Sequence, residues 1–225
     1  MNHDSPPALL IGIIAVILLV FFLRKSDPYE PEEVRRRELA ALARKLNLEF
    51  SPKNDFKLAE KFLFLTWLKR GEARNVRYAY NVMHGYHLDY PVTVFDYSFI
   101  AGKYSYYWSA FVLEMKTNFP DTIISHESLE SRFAEELGVP HIAFESAEFT
   151  RTFLVRSADK KFAFDVCHPR MMEYLLANKD LTVEIRGPML AIFFEDWLRP
   201  QKVEFNLSRL IEIRKLLPEY LFAKV

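Results

Sequence analysis

The order of apolar and polar positions divides the chain into zones of different period. Residues 8–23, ALLIGIIAVILLVFFL, contain no polar side chain. At about 1.5 Å rise per residue they cover about 24 Å of helix, a short but usable transmembrane span. Residues 31–46, PEEVRRRELAALARKL, take up helical spacing, with Pro31 at the first turn, early acids, and Val34, Leu39, Leu42 and Leu46 near one stripe. This predicts an amphipathic helix. Asn54 or Asp55 is placed to cap a second helix through FKLAEKFLFLTWL, which Gly71 stops.

Beyond Gly71 the period falls to two. RYAYNVMHGYHLDY, PVTVFDYSFIA and YYWSAFVLEMK are rich in β-branched and aromatic residues, with turn signals at 89–91 and 102–103. They predict an antiparallel meander. After DTIISHE, Ser128 caps a predicted helix LESRFAEEL that Gly138 and Pro140 end. HIAFES and FTRTFLVRS predict strands, PRMMEYLLAN a helix opening at Pro169, and LTVEIRG and MLAIFFED two more strands. Leu207, Leu210, Ile211 and Leu217 mark a last helix, broken at Pro218. The expected architecture is α+β, an N-terminal transmembrane helix followed by one domain with a mainly antiparallel sheet flanked by helices. Its divisions are a short extracytoplasmic tail at 1–7, the span at 8–23, a linker with the amphipathic helix at 24–50, and a soluble domain at 51–225.

Charge sets the direction of the anchor. Arg24, Lys25, Arg35, Arg36 and Arg37 follow the span and only Asp4 precedes it, so the positive-inside rule places the N-terminus outside and the domain in the cytoplasm of a cell (inner) membrane. MNHDSPP has no basic residue, and no small-residue cleavage signature precedes Arg24, which argues for an uncleaved anchor over a signal peptide. Elsewhere the balance is even: 30 Lys plus Arg against 30 Asp plus Glu argues against nucleic acid as a partner. The single cysteine, Cys167, excludes an internal disulfide.

The succession NVMHGYHLDYPVTVFDYSF, then IAFESAEFTRTFLVRSADKKFAFDVCHPRMMEYLL, resembles a family of bacterial proteins with a short membrane anchor, one domain and Phe-Asp-Tyr in an early strand. The likeness covers most of residues 35–218. It implies an anchored α+β domain and brings no activity, cofactor or catalytic residue with it. In that family a second glycine often stands four residues after the position of Gly85; here Asp89 stands there.

Asp96 is the one carboxylate in PVTVFDYSF, an otherwise apolar run. A three-residue loop at 101–103 would set Ile100 against Tyr104, Asp96 against Trp108 and Ser98 against Tyr106. Asp96 would then accept hydrogen bonds from an indole or a tyrosine and act structurally, with a catalytic role as the alternative. Cys167 and His168 precede a Pro-initiated helix whose dipole would lower a thiol pKa, making Cys167 the possible nucleophile; a buried cysteine beside a capping histidine is the plainer reading. His84 and His87, three apart on a strand, face opposite sides and give no metal site. Glu145, Glu148, Asp159, Asp165, Glu195 and Asp196 show no paired acid/base spacing and read as turns and strand ends. Phosphate-loop and dinucleotide glycine patterns are absent. Tyr104, Tyr106, Tyr107 and Trp108 in KYSYYWSAF offer an aromatic contact surface at a hairpin.

The sequence therefore leads to a single-pass membrane protein whose domain is a non-catalytic binding or interaction module, with no cofactor and a protein partner. Two alternatives remain, an enzyme with a dispersed site around Asp96 or Cys167, and a lipid-sensing domain at the membrane surface.

Overall fold

The computed structural model describes residues 32–65, 68, 76–101, 103–126 and 140–223. The expected span at 8–23 and the expected helix at 129–137 lie outside these residues. Among the described residues no helix is long and apolar enough to cross a membrane. The chain divides into two units, Met1–Arg35 and Arg36–Val225. The second is the α+β domain.

Its elements run in the order α1 (Glu32–Lys45), β1 (Glu49–Ser51), α2 (Phe56–Lys61), β2 (Val76–His87), β3 (Tyr90–Ala101), β4 (Tyr104–His126), α3 (Ala147–Thr152), β5 (Phe153–Ser157), α4 (Lys160–Val166), α5 (Pro169–Ala177), β6 (Thr182–Phe194) and α6 (Pro200–Leu216). One 3₁₀ turn, Glu219–Leu221, follows α6. Local chemistry explains several of the boundaries. Asp55 caps α2 by accepting from the Leu58 amide at 2.8 Å, Ser146 caps α3 through Phe149, and Asp159 caps α4 through Phe162. Pro169 and Pro200 open α5 and α6, where a missing N–H costs no helical bond.

The sheet is antiparallel throughout, in the order β1-β2-β3-β4-β5, with β6 on the other edge of β4. Both faces are covered. On one, Val92, Val94, Phe111, Leu113 and Ile192 pack with Leu39 and Ala43 of α1, Phe162 of α4, Met171 of α5, and Val203, Leu207 and Leu210 of α6. On the other, Phe95, Tyr97, Trp108, Val112 and Phe193 pack with Ala59 of α2 and with Phe62, Leu65 and Leu68 just after it. Period-two alternation assigns each residue to one core or the other.

Three features differ from expectation. YYWSAFVLEMK and DTIISHE form one 23-residue strand, β4, and LTVEIRG and MLAIFFED likewise form one strand, β6. A bulge lets each of them continue. Gly187, at φ +55°, pairs with Phe119 between two register shifts, across which β4 carries four residues more than β6 and the parity of β6 reverses. Val183 and Ile185 before it and Leu190 and Ile192 after it thus face the same core. The second difference is helical: HIAFES contains no strand, and α3 and α4 occupy residues expected to be strand or loop. Third, α2 ends at Lys61, well short of Gly71.

The β2–β3 turn settles the role of Asp89. His87 pairs with Tyr90, so Leu88 and Asp89 make a two-residue turn with φ of 48° and 66°. Both signs are those of a type I′ turn, which suits the twist of the flanking strands. Asp89 tolerates the left-handed region, but Leu88 has no such allowance. Leu88→Asn is expected to stabilise the protein by about 1 kcal/mol and to raise Tm by about 2–4 °C in thermal unfolding. A fall in Tm would show that the Leu88 side chain contributes more than its backbone strain costs.

Candidate functional site

The hairpin joining β3 and β4 is one residue tighter than expected. Ala101 pairs with Tyr104, leaving two residues in the loop, so Asp96 lies opposite Ser109, Ser98 opposite Tyr107, and Trp108 opposite Tyr97. The slip moves Trp108 to the other face from Asp96, and its indole is not the partner of the carboxylate. What meets Asp96 instead comes from two distant parts of the chain. Its Oδ2 accepts from Asn81 Nδ2 at 2.8 Å, and its Oδ1 accepts from the Leu198 amide at 2.7 Å.

Asn81 reaches Asp96 because of a second bulge. Between the Tyr80–Asp96 and Met83–Val94 pairs, β2 carries one residue more than β3, and Asn81 takes φ +48° there. Asparagine is among the few residues that enter this region readily. Asp96 and Asn81 are both fully buried at 0% exposure. A buried carboxylate is costly unless its oxygens accept hydrogen bonds, and these two donors offset that cost. Asp96 thereby clamps the loop at 195–199, between β6 and α6, to the centre of the sheet.

That loop forms one wall of a cavity of about 170 Å3. Ser109 and Phe111 of β4 and Phe194 of β6 line it from the sheet side. Trp197, Leu198 and Arg199 line it from the loop, and Lys202, Phe205, Asn206 and Arg209 from successive turns of α6. The spacing 202, 205/206, 209 is one helical face, so α6 presents a continuous strip to the cavity. Phe111 and Phe194 meet edge to face at 5.8 Å.

Charge in the cavity is arranged around Arg209, which is only 6% exposed. Its guanidinium donates to both carboxylate oxygens of Asp180, at 2.7 and 2.9 Å, and to Asn206 Oδ1 at 2.8 Å. It also lies against the rings of Phe205 and Phe194, at 4.8 and 5.3 Å. The Arg209 Nε–H has no acceptor among the described residues. Hydrogen bonding from Arg209 holds the Asp180 carboxyl below its ordinary pKa. Asp196 is likewise engaged, accepting from Arg199 Nε at 2.7 Å and from the Trp197 amide at 2.9 Å. The Lys202 side chain, by contrast, is exposed and makes no hydrogen bond or ion pair among the described residues.

The four residues of the expected aromatic surface do not share one face. Trp108 is 5% exposed and belongs to the core. Tyr106 stacks on Phe99 at 5.3 Å and beside Trp108 at 6.1 Å, with Tyr104 two residues away on the same face. Tyr107 points to the opposite face and meets Trp197 at 5.2 Å, at the rim of the cavity. Alternation along β4 enforces the separation.

Cys167 ends α4, where it is 2% exposed, and burial pushes its thiol pKa up. The helix dipole does not lower it as the nucleophile reading requires, because desolvation of the thiolate dominates. His168 stands at the N-cap of α5 without capping it. Its Nε2 donates instead to the Leu216 carbonyl at 2.8 Å, holding the end of α6. His84 meets Glu49 at 3.3 Å. Of the scattered acids, Asp159 is a helix cap, Asp165 pairs with Lys161 at 2.8 Å, and Glu148 with Lys179 at 3.6 Å. No group of three metal-ligating side chains occurs among the described residues.

Fold and site together define an α+β domain with an aromatic-walled, cation-bearing cavity under its C-terminal helix. It is similar to a solved protein, the mycobacterial trehalose monomycolate transport factor A, TtfA, with a TM-score of 0.59 and 13% identity over 81% of this chain and 96% of that one. At this identity the likeness is one of fold. No protein-family model matches the chain, and no curated protein does.

Two measurements test the geometry. Asp96→Ala leaves the Leu198 amide and the Asn81 amide group without their acceptor, and is expected to cost about 3 kcal/mol in denaturant unfolding. A loss under about 0.5 kcal/mol would mean that the clamp does not hold the loop. The second concerns pH. The folded pKa of Asp180 is depressed, so its pairing with Arg209 stabilises the protein above the unfolded value, about 3.9, and that stability is lost as pH falls through the folded value. The stability difference between wild type and Asp180→Asn should thus be constant above about pH 5 and shrink below about pH 4. A difference unchanged down to pH 2 would contradict the pairing.

Proposed function

We propose that this protein is a membrane-tethered, non-catalytic binding module that holds a lipid-class ligand. The observation that carries this reading is the cavity beneath α6. Four aromatic side chains, Phe111, Phe194, Trp197 and Phe205, stand in its walls, and both of its carboxylates are engaged by arginines, which leaves neither placed as a general base. Such a site retains a ligand rather than transforming it. The fold shared with a protein described as a trehalose monomycolate transport factor supports a role in handling lipid. The apolar run at 8–23 and the basic residues after it support a single-pass anchor with the domain on the cytoplasmic side. Membership of the anchored bacterial family with the Phe-Asp-Tyr strand belongs to the same proposal.

A protein partner is the second reading. It rests on Tyr104 and Tyr106, which are 59% and 45% exposed on the face away from the cavity.

The test is extraction of tagged full-length protein from its own membranes in a mild neutral detergent, followed by mass spectrometry of co-purifying lipids and proteins. One lipid class at a near-equal molar amount, reduced in a Phe205→Ala variant, is the expected result. If lipid is no more abundant than on an unrelated single-span protein and one protein co-purifies stoichiometrically, the second reading replaces the first. In inside-out vesicles from the same membranes, added protease should digest the domain; full protection would reverse the orientation.

A further inference from the structure

The cavity has a chemical preference that its aromatic walls alone do not explain. Three cationic side chains line it, Arg199, Lys202 and Arg209, against two carboxylates, Asp180 and Asp196. Each carboxylate is taken by one arginine, at 2.7 Å in both cases. The balance is one positive charge, at the unpaired Lys202. One further feature favours an anion. Lys202 sits in the first turn of the 17-residue α6, whose N-cap residue Arg199 offers no capping side chain, so the amide dipoles there add positive potential.

Size limits the rest of the ligand. A cavity of about 170 Å3 is close to the scale of an engineered cavity of about 150 Å3 that accepts benzene, so it encloses about six carbons rather than a whole lipid. The remainder has a path outward, since Phe205, Trp197 and Tyr107 are exposed beside the opening and Trp197 and Tyr107 are in contact.

Resting on the binding-module reading above, we propose that the cavity is a site for an anionic amphiphile. Its single acid group, a phosphate or carboxylate, faces Lys202, and its nearest six or so carbons lie against Phe111, Phe194 and Phe205. The acid makes the ligand selective, and the aromatic walls retain its apolar part.

The experiment is calorimetric titration of the full-length protein in phosphatidylcholine nanodiscs, with empty nanodiscs as the blank. Hexyl phosphate, hexyl glucoside and inorganic phosphate are the probes, all below their micellar concentrations. Hexyl phosphate should bind at least about tenfold more tightly than either of the others. Lys202→Glu, at an exposed position whose side chain makes no hydrogen bond or ion pair among the described residues, should weaken hexyl phosphate about tenfold and hexyl glucoside by much less. Phe205→Ala should weaken hexyl phosphate by a larger factor than inorganic phosphate. Equal binding of hexyl phosphate and hexyl glucoside, indifferent to Lys202→Glu, would overturn the anionic preference while leaving lipid binding intact. Equal binding of inorganic phosphate and hexyl phosphate would make the ligand a free anion and overturn the amphiphile. If no probe binds while a lipid still co-purifies with the protein, the site lies elsewhere; if neither occurs, the binding-module reading falls as well.

Discussion

Strand β4 has to satisfy three neighbours and two cores at once, and the rest of the domain follows from how it does so. Along one edge it pairs first with β3 and then with β5, and along the other with β6. Over Trp108–Leu113 both of its faces are buried, so each residue there must match the core it faces, and a slip of one position would exchange the two sets. A strand of 23 residues cannot hold one parity and one twist throughout. The bulge near Phe119 and Gly187 absorbs the mismatch, and it is a glycine at φ +55° that allows the partner strand to follow.

The same two-sided burial explains why polar groups occur in the middle of the sheet. Asp96, Ser98 and Ser109 share a face with the larger core but lie beyond its apolar part, next to the loop at 195–199. A loop crossing a sheet face buries amide groups that water no longer reaches, and each requires an acceptor. Asp96 supplies one to Leu198. The carboxylate is itself held by Asn81, whose unusual backbone conformation is the local strain associated with that contact. Sheet, loop and cavity wall are therefore mechanically linked, and the functional proposal depends on a structural acid that never touches the ligand.

Arg209 plays the corresponding part on the helix side. A buried arginine on a helix face is expensive, and the fork of Asp180 with the added oxygen of Asn206 meets most of its donors. The rings of Phe194 and Phe205 cover the guanidinium. The result is an ion pair fixed beside an apolar space, in surroundings where each of its hydrogen bonds competes with less water than on an open surface.

Much of this architecture was legible in the order of residues. Period-two runs gave strands β2, β3 and β4, the caps Asp55 and Pro169 marked helix starts, and the stripe of Leu207, Leu210 and Ile211 marked α6, because local sterics and burial periodicity act over a few residues and leave a direct trace. Short α3 and α4 left a weaker one, since one or two turns do not establish a period. The cavity left almost none: Arg209 and Asn206 were visible only as polar breaks in the α6 stripe, and Asp180 as one acid among many. By itself the sequence determined which segments are apolar, which turn, and that Asp96 is an acid within a strand. Only the tertiary structure decided what faces what. A one-residue difference in the 101–104 hairpin put Trp108 in one core and Asp96 in reach of Leu198, and placed Tyr107 and Tyr106 on opposite sides. Register and long-range pairing depend on the simultaneous fit of residues as distant as Asp96 and Leu198, 102 positions apart, and no local pattern carries that information.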